Sequence, residues 1–197
     1  MKRISKEPDI RRQELIDIGF DLYMKNGMGR FSIKDVVNQA NVATGLFYYY
    51  FKSKEEFVDE TLNNFILKNV EEIQQILTSN EMPVMQKMTN SLEIFWTFAE
   101  KLAPYKNVSS FHTKQHFQLE QKLLVQLQPL LQQVIEEGVS TGIFQTDNSI
   151  LASGFILYGI SSIAHSEKLE MNHDTKQEVS NLVLTTLKYD PKRKPLS

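Results

Sequence analysis

The stretch SIKDVVNQANVATGLFYYYFKSKEEF, residues 32–57, constrains the fold more than any other part of the chain. It begins and ends with a helix start. Ser32 is placed to accept from the Asp35 N–H while Asp35 reaches back, a variant of the capping box; Ser53 with Glu56 three residues on repeats the signal. Between them Asn41, a residue that tolerates the left-handed conformation, breaks the first helix. Ile33, Val36, Val37 and Ala40 give that helix its apolar stripe, and a second short helix over about 43–50 carries the unbroken aromatic row Phe47, Tyr48, Tyr49, Tyr50, Phe51.

Two short helices joined by a tight turn make a helix-turn-helix, whose second helix lies in the major groove of DNA while the first crosses the backbone. Helical geometry divides the aromatic row. Phe47 and Phe51 share one face and are expected to pack on helices 1 and 2, whereas Tyr48 and Tyr49 point away from Phe51, free to meet phosphate oxygens. Lys52 and Lys54 stand at the start of helix 4, where an ammonium and free helix N–H groups both suit a phosphate.

Around this motif the pattern is helical throughout, and an all-α chain is expected. Helix 1 covers about 9–25 with a stripe of Leu15, Ile18, Gly19 and Leu22, and Asn26-Gly27 stops it. Helix 4 runs over about 53–78. Beyond it, helices are expected over about 83–103, to about 117 after the interruption at Pro104, 119–138, 148–166 and 173–188. The charge distribution supports two jobs on one chain. Residues 1–54 carry ten Lys/Arg against six Asp/Glu, a balance of +4; residues 55–197 carry twelve against eighteen, a balance of −6, recovering the overall −2. Residues 1–54 are therefore expected to form a three-helix DNA-binding domain, 55–190 a larger helical domain linked through helix 4, and 191–197 a disordered basic tail.

Residues 11–58 resemble the DNA-binding domain of the TetR/AcrR family of transcriptional regulators. The resemblance rests on Gly27, Ser32, the run Ala40-Asn41-Val42-Ala43-Thr44-Gly45, then Leu46-Phe47-Tyr48-Tyr49-Tyr50-Phe51 and Lys52-Ser53-Lys54-Glu55-Glu56-Phe57. A weaker likeness covers IEEGVSTGIF, residues 135–144. Asn41 replaces the usual Gly, and Ala43 replaces the usual Ser/Thr cap, a loss of about 1 kcal/mol. The resemblance implies DNA contacts from Ser32, Thr44, Gly45, Tyr48 and Lys54, with no side chain on Gly45 to hold the backbone off the groove. Thr44 and Tyr49 are the candidates for base edges, and Lys34 and Lys52 for the backbone by charge. It further implies a repressor that binds a double-stranded operator, with a C-terminal domain that binds a small effector and forms a homodimer through its last two helices.

The sequence supports the dimer independently. Residues 149–166 contain no charged residue, histidine counted neutral, and small residues there admit a close neighbour. Gly154, Phe155, Tyr158, Gly159, Leu182 and Val183 are the interface candidates. A mostly apolar effector pocket is assigned to Phe95, Trp96, Tyr105, Phe111, His112 and Tyr158, although each alone also suits a packed core. His112, His116 and Glu120 recur every four residues on one face, a weak pattern for a divalent metal with no fourth ligand; no cofactor is expected. The absence of cysteine removes disulfide and thiolate chemistry. No Gly-rich phosphate loop, no G-x-S-x-G and no framed carboxylate pair occurs, so no enzyme is expected. With no membrane-length apolar run and no secretory signal, a cytoplasmic location is expected. The alternative function is a constitutive DNA-binding or architectural protein without a ligand.

Overall fold

A computed structural model describes residues 7–26, 31–102, 114–166, 168–170 and 172–192. Every regular element among them is a helix: α1 Pro8–Asn26, α2 Ile33–Gln39, α3 Thr44–Tyr50, α4 Lys54–Leu77, α5 Val84–Leu102, α6 Lys114–Ser140, α7 Ser149–His165 and α8 His173–Thr186. None of these is long and apolar enough to cross a membrane. The chain forms two compact units that divide inside α4, between Lys68 and Asn69.

The first unit is built on an aromatic cluster. Phe47, Phe51 and Phe57 are fully buried, with ring centroids 4.8–5.3 Å apart, and Phe31 meets Phe57 edge-on at 6.5 Å. The Phe pair thus packs chiefly on Phe57 of α4, with Arg12 of α1 above the Phe51 ring at 5.2 Å, rather than on α1 and α2 alone. The buried stripe of α1 is Leu15, Ile16, Gly19, Leu22 and Tyr23; Ile18 is only half-buried. The close approach of α4 sets this phase. A Cβ on Gly19 would stand 2.3 Å from Cζ of Phe57, so the glycine is what lets the ring in. Phe20 stacks on Phe65 at 4.2 Å, Gln13 bonds Asn64, Lys68 pairs with Asp17 at 2.9 Å, and Arg12 pairs with Glu60.

The second unit has its own core, formed by Leu77, Val84, Met88, Trp96, Leu127, Leu131, Val134, Ile135, Ile156, Ile160, Val179 and Val183 among others. Asn148 caps α7 by accepting from the Leu151 N–H at 2.9 Å, and Asn172 caps α8 by accepting from the Thr175 N–H at 3.0 Å. The break expected at 117–119 is absent: α6 is continuous from Lys114 to Ser140 and holds Pro129 in its interior. Gly138 lies inside α6, and Phe144 folds back where its Cβ would stand, 2.1 Å from Cδ2; the left-handed turn follows at Gly142, φ 77°. Lys87 is buried and pairs with Glu137 at 2.8 Å, which ties α5 to α6 by a charge that cannot be left alone.

Candidate nucleic-acid interface

The first unit places a short helix on a firm base. Ser32 adopts extended backbone, its hydroxyl accepts from the Asp35 N–H at 3.2 Å, and its own N–H donates to Asp35 Oδ2 at 2.6 Å, closing the capping box. Phe31 before the cap and Val36 after it are both buried, the arrangement of a hydrophobic staple. The turn then enters α3 through Asn41, whose φ of 53° is the left-handed conformation that the missing glycine supplies elsewhere. Ala43 is the N-cap of α3 and makes no side-chain cap bond, so the departure from the usual Ser/Thr leaves this helix start open.

On α3, Thr44, Gly45, Tyr48 and Tyr49 are all exposed, the two tyrosines at 55% and 74%. At 100° per residue these four positions occupy about 140° of arc, and Phe47 lies on the opposite side. The rings are supported from below: Tyr48 meets Phe47 edge-on at 5.5 Å and Tyr49 meets Tyr50 at 4.9 Å. A Cβ built on Gly45 meets nothing within 4 Å. Ser32, Lys34 and Lys52 are exposed on the flanking elements. Lys54 is half-buried, with Nζ 5.0 Å from the centroid of Phe31. The ring beneath this lysine was not foreseen; its only signal in the sequence was an aromatic residue just before a capping serine.

The Ser32 hydroxyl is engaged within the cap, donating to Asp35 Oδ2 at 2.8 Å. Some of the N–H groups at the start of α4 are already engaged. Lys52 N–H donates to Glu56 Oε2 at 2.6 Å, Glu56 N–H to the Ser53 hydroxyl at 3.1 Å and Phe57 N–H to the Ser53 carbonyl at 3.2 Å. Glu56 thus reaches one residue beyond the cap. The exposed amides Asn38, Gln39 and Asn41 border the same turn and were missed as surface groups, since their sequence signal was only that of a helix end.

Charge on this face is mixed. The Asp35 carboxyl is held below its ordinary value of 3.8, first by the Ser32 N–H, then by the Ser32 hydroxyl and the nearby Lys54 ammonium. A depressed carboxylate stabilises the fold above its unfolded pKa, and the capping contribution is lost as pH falls through the lower folded value. The Glu55 carboxyl is likewise lowered, by its own backbone N–H, Ser53 and Lys54.

The second unit holds the other candidates. Trp96 is buried against Phe95 at 5.0 Å within the core; Tyr105, Phe111 and His112 lie outside the described residues. Tyr158, assigned to both pocket and interface, is exposed on α7 and so stands outside that core. Leu151 and Phe155 on the same helix are 70% and 69% exposed, and Ile150 and Leu182 are also open. Val183 is buried in the core of the second unit, which removes it from any open face. Gly154 faces inward, since its Cβ would stand 3.2 Å from Gln128 Nε2, whereas Gly159 meets nothing within 4 Å. Of the weak metal pattern, His112 and the side chain of His116 lie outside the described residues. Glu120 is turned to α7, where it accepts from the Ser161 hydroxyl and lies 3.4 Å from His165 Nδ1.

Residues 15–61 match the family described as bacterial regulatory proteins, tetR family, which spans α1 to the first part of α4. The chain is 28% identical over 141 residues to the HTH-type transcriptional repressor KstR2 of Rhodococcus jostii, covering 70% of this chain and 69% of that protein. It is 22% identical over 188 residues to the repressor DhaR of a Mycobacterium strain, covering 89% and 91%. A transcriptional regulator from Cytophaga hutchinsonii shares the fold with a TM-score of 0.73 at 15% identity, over 89% of this chain and 96% of that one. With the matched helix-turn-helix in place, residues 15–61 form a DNA-binding domain of the tetR family of bacterial regulatory proteins, and the rest of the chain shares the all-helical fold of TetR/AcrR regulators.

Proposed function

We propose that this regulator is a repressor that binds a palindromic operator as a homodimer and is released by a small, mainly apolar effector. The observation that carries the DNA reading is the uncovered face of α3, where Thr44, Gly45, Tyr48 and Tyr49 stand exposed above a rigid aromatic base. Relatives named as repressors support the sign of control. The open apolar side of α7 supports the dimer. Two such reading heads on a two-fold axis fit half-sites separated by whole helical turns, about 34 Å or a multiple of it. The effector is assigned to the second unit, beside Phe95 and Trp96, where Ile73 and Leu77 of α4 join the same core. Because α4 belongs to both units, a change in its seating there is transmitted along one helix. A hundredfold loss of operator affinity requires about 2.7 kcal/mol of coupling.

Binding to DNA measured across a salt series tests this reading. Lys54→Ala should weaken binding to all sequences alike and flatten the log–log salt slope by about 1 per protomer. Thr44 substitutions should change which sequence is preferred. A compound that releases the DNA should alter Trp96 emission, the chain having one tryptophan. Salt-independent binding, or a Lys54→Ala slope equal to that of the parent, refutes the phosphate role. Operator binding that no small molecule relieves returns the alternative of a constitutive binder.

A further inference from the structure

Between Phe31 and Lys54 the sequence places three lysines, Lys34, Lys52 and Lys54, and a single carboxylate, Asp35. The fold does not hide that carboxylate. Asp35 is exposed on the first turn of α2, one residue from Lys34. Its Oδ2 is fixed by two donors from Ser32, and Ser32 directly follows the Phe31 ring that underlies Lys54. The cap and the lysine are thus neighbours around residues 31 and 32, and Glu55 on α4 adds a second negative charge near the same ammonium. The α2 cap does not require a charge. A side-chain amide also presents an oxygen that accepts from the Ser32 N–H, at the cost of the charge-assisted part of that bond, as Asn148 and Asn172 accept from a backbone N–H in capping α7 and α8.

We propose that Asp35 is an electrostatic brake: a fixed negative charge on the phosphate-facing rim that offsets Lys54 and holds down sequence-independent binding. This rests on the DNA-binding reading above and goes beyond it. Phosphate-driven affinity follows the positive charge available to phosphates, whereas base readout by α3 does not, so a carboxylate that offsets a rim lysine lowers the first and leaves the second. Asp35 then sets the overall level of DNA affinity without touching a base. The fixed geometry matters, because a carboxylate locked by two hydrogen bonds cannot swing away as the DNA approaches.

The test uses the full chain and a labelled duplex of scrambled sequence, titrated by fluorescence anisotropy over a potassium chloride series. Asp35→Asn and Asp35→Gln each keep an oxygen for the Ser32 N–H and remove the charge; melting temperatures identify any variant that has lost its fold, and the other then carries the test. The expected result is tighter binding with a slope steeper by about 0.9 per protomer, so the gain over the parent grows about 3.5-fold for each protomer bound as salt drops fourfold. An unchanged or shallower slope in a folded neutral variant overturns the brake. If Lys54→Ala flattens the slope while Asp35→Asn leaves it alone, the brake falls and the DNA reading stands. If the parent shows no salt-dependent binding, both fall.

Discussion

Gly45→Ala should leave the protein slightly more stable and nearly unable to bind DNA. The fold gives no reason for a glycine there. The residue sits in the first turn of α3, it is absent from the positive-φ glycines, and an added Cβ meets nothing within 4 Å. Glycine in a helix costs up to about 1 kcal/mol relative to alanine, so the position carries a cost that folding does not explain. Gly19 and Gly138 are the contrast, since a Cβ there would collide with Phe57 at 2.3 Å and Phe144 at 2.1 Å. Their absent side chains serve packing, whereas the one at Gly45 serves a partner that comes close to the backbone, flanked by Thr44 and Tyr48. A methyl group between α3 and the groove should cost on the order of a hundredfold in affinity, about 2.7 kcal/mol. Gly19→Ala should show the reverse pattern, a lower melting temperature from the displaced Phe57 ring. Thermal denaturation and anisotropy on the same preparations separate the two. Gly45→Ala binding DNA as tightly as the parent would end the close-approach argument.

Local chemistry was legible in the sequence, and long-range packing was not. The Ser32–Asp35 box, the left-handed Asn41 and the split of Phe47 from Tyr48 and Tyr49 each depend on residues within four positions of one another, so spacing alone determined them. The phase of α1 was misread at Ile18 because Phe57, far along the chain, decides which side of the helix is covered at Gly19. Continuity of α6 was missed because residues 117–119 carry no favourable stripe of their own, and Leu123, Leu124 and Leu127 beyond them are buried by neighbouring helices. At the interface face, composition marked α7 as apolar all round but did not say which side was already occupied. That needed α6, whose Gln128 approaches Gly154 and leaves Gly159 open. The cation over Phe31 and the Asp35 carboxylate near Lys54 were invisible for the same reason, as they bring the start of α2 to α4.

Gly159→Arg, and separately Leu151→Glu with Phe155→Glu, should turn the protein into a monomer that keeps its fold. On α7 the core takes Ala152, Ser153, Ile156 and Ile160, and the other side presents Leu151, Phe155 and Tyr158 to solvent. Positions 151, 155 and 158 follow the i, i+4, i+7 spacing of a helix that expects a neighbour. Gly159 beside them is a helical glycine with nothing near it in its own protomer, the pattern a closely approaching second backbone explains. Full burial of a leucine or phenylalanine contributes about 1.5–3 kcal/mol. Across a two-fold axis every position counts twice, so Leu151 and Phe155 together hold roughly 6–12 kcal/mol of gross stabilisation that two glutamates would replace with a desolvation cost. Gly154→Arg is the uninformative substitution, because its side chain would strike Gln128 within the same protomer. Sedimentation velocity gives the mass, and melting temperature shows that the core is intact. The monomer should lose operator binding far more than binding to scrambled duplex, since one reading head keeps its phosphate contacts but forfeits the second half-site. A dimer of unchanged mass in both variants, or a parent that sediments as a monomer, would remove α7 from the interface and with it the two-fold geometry on which operator spacing depends.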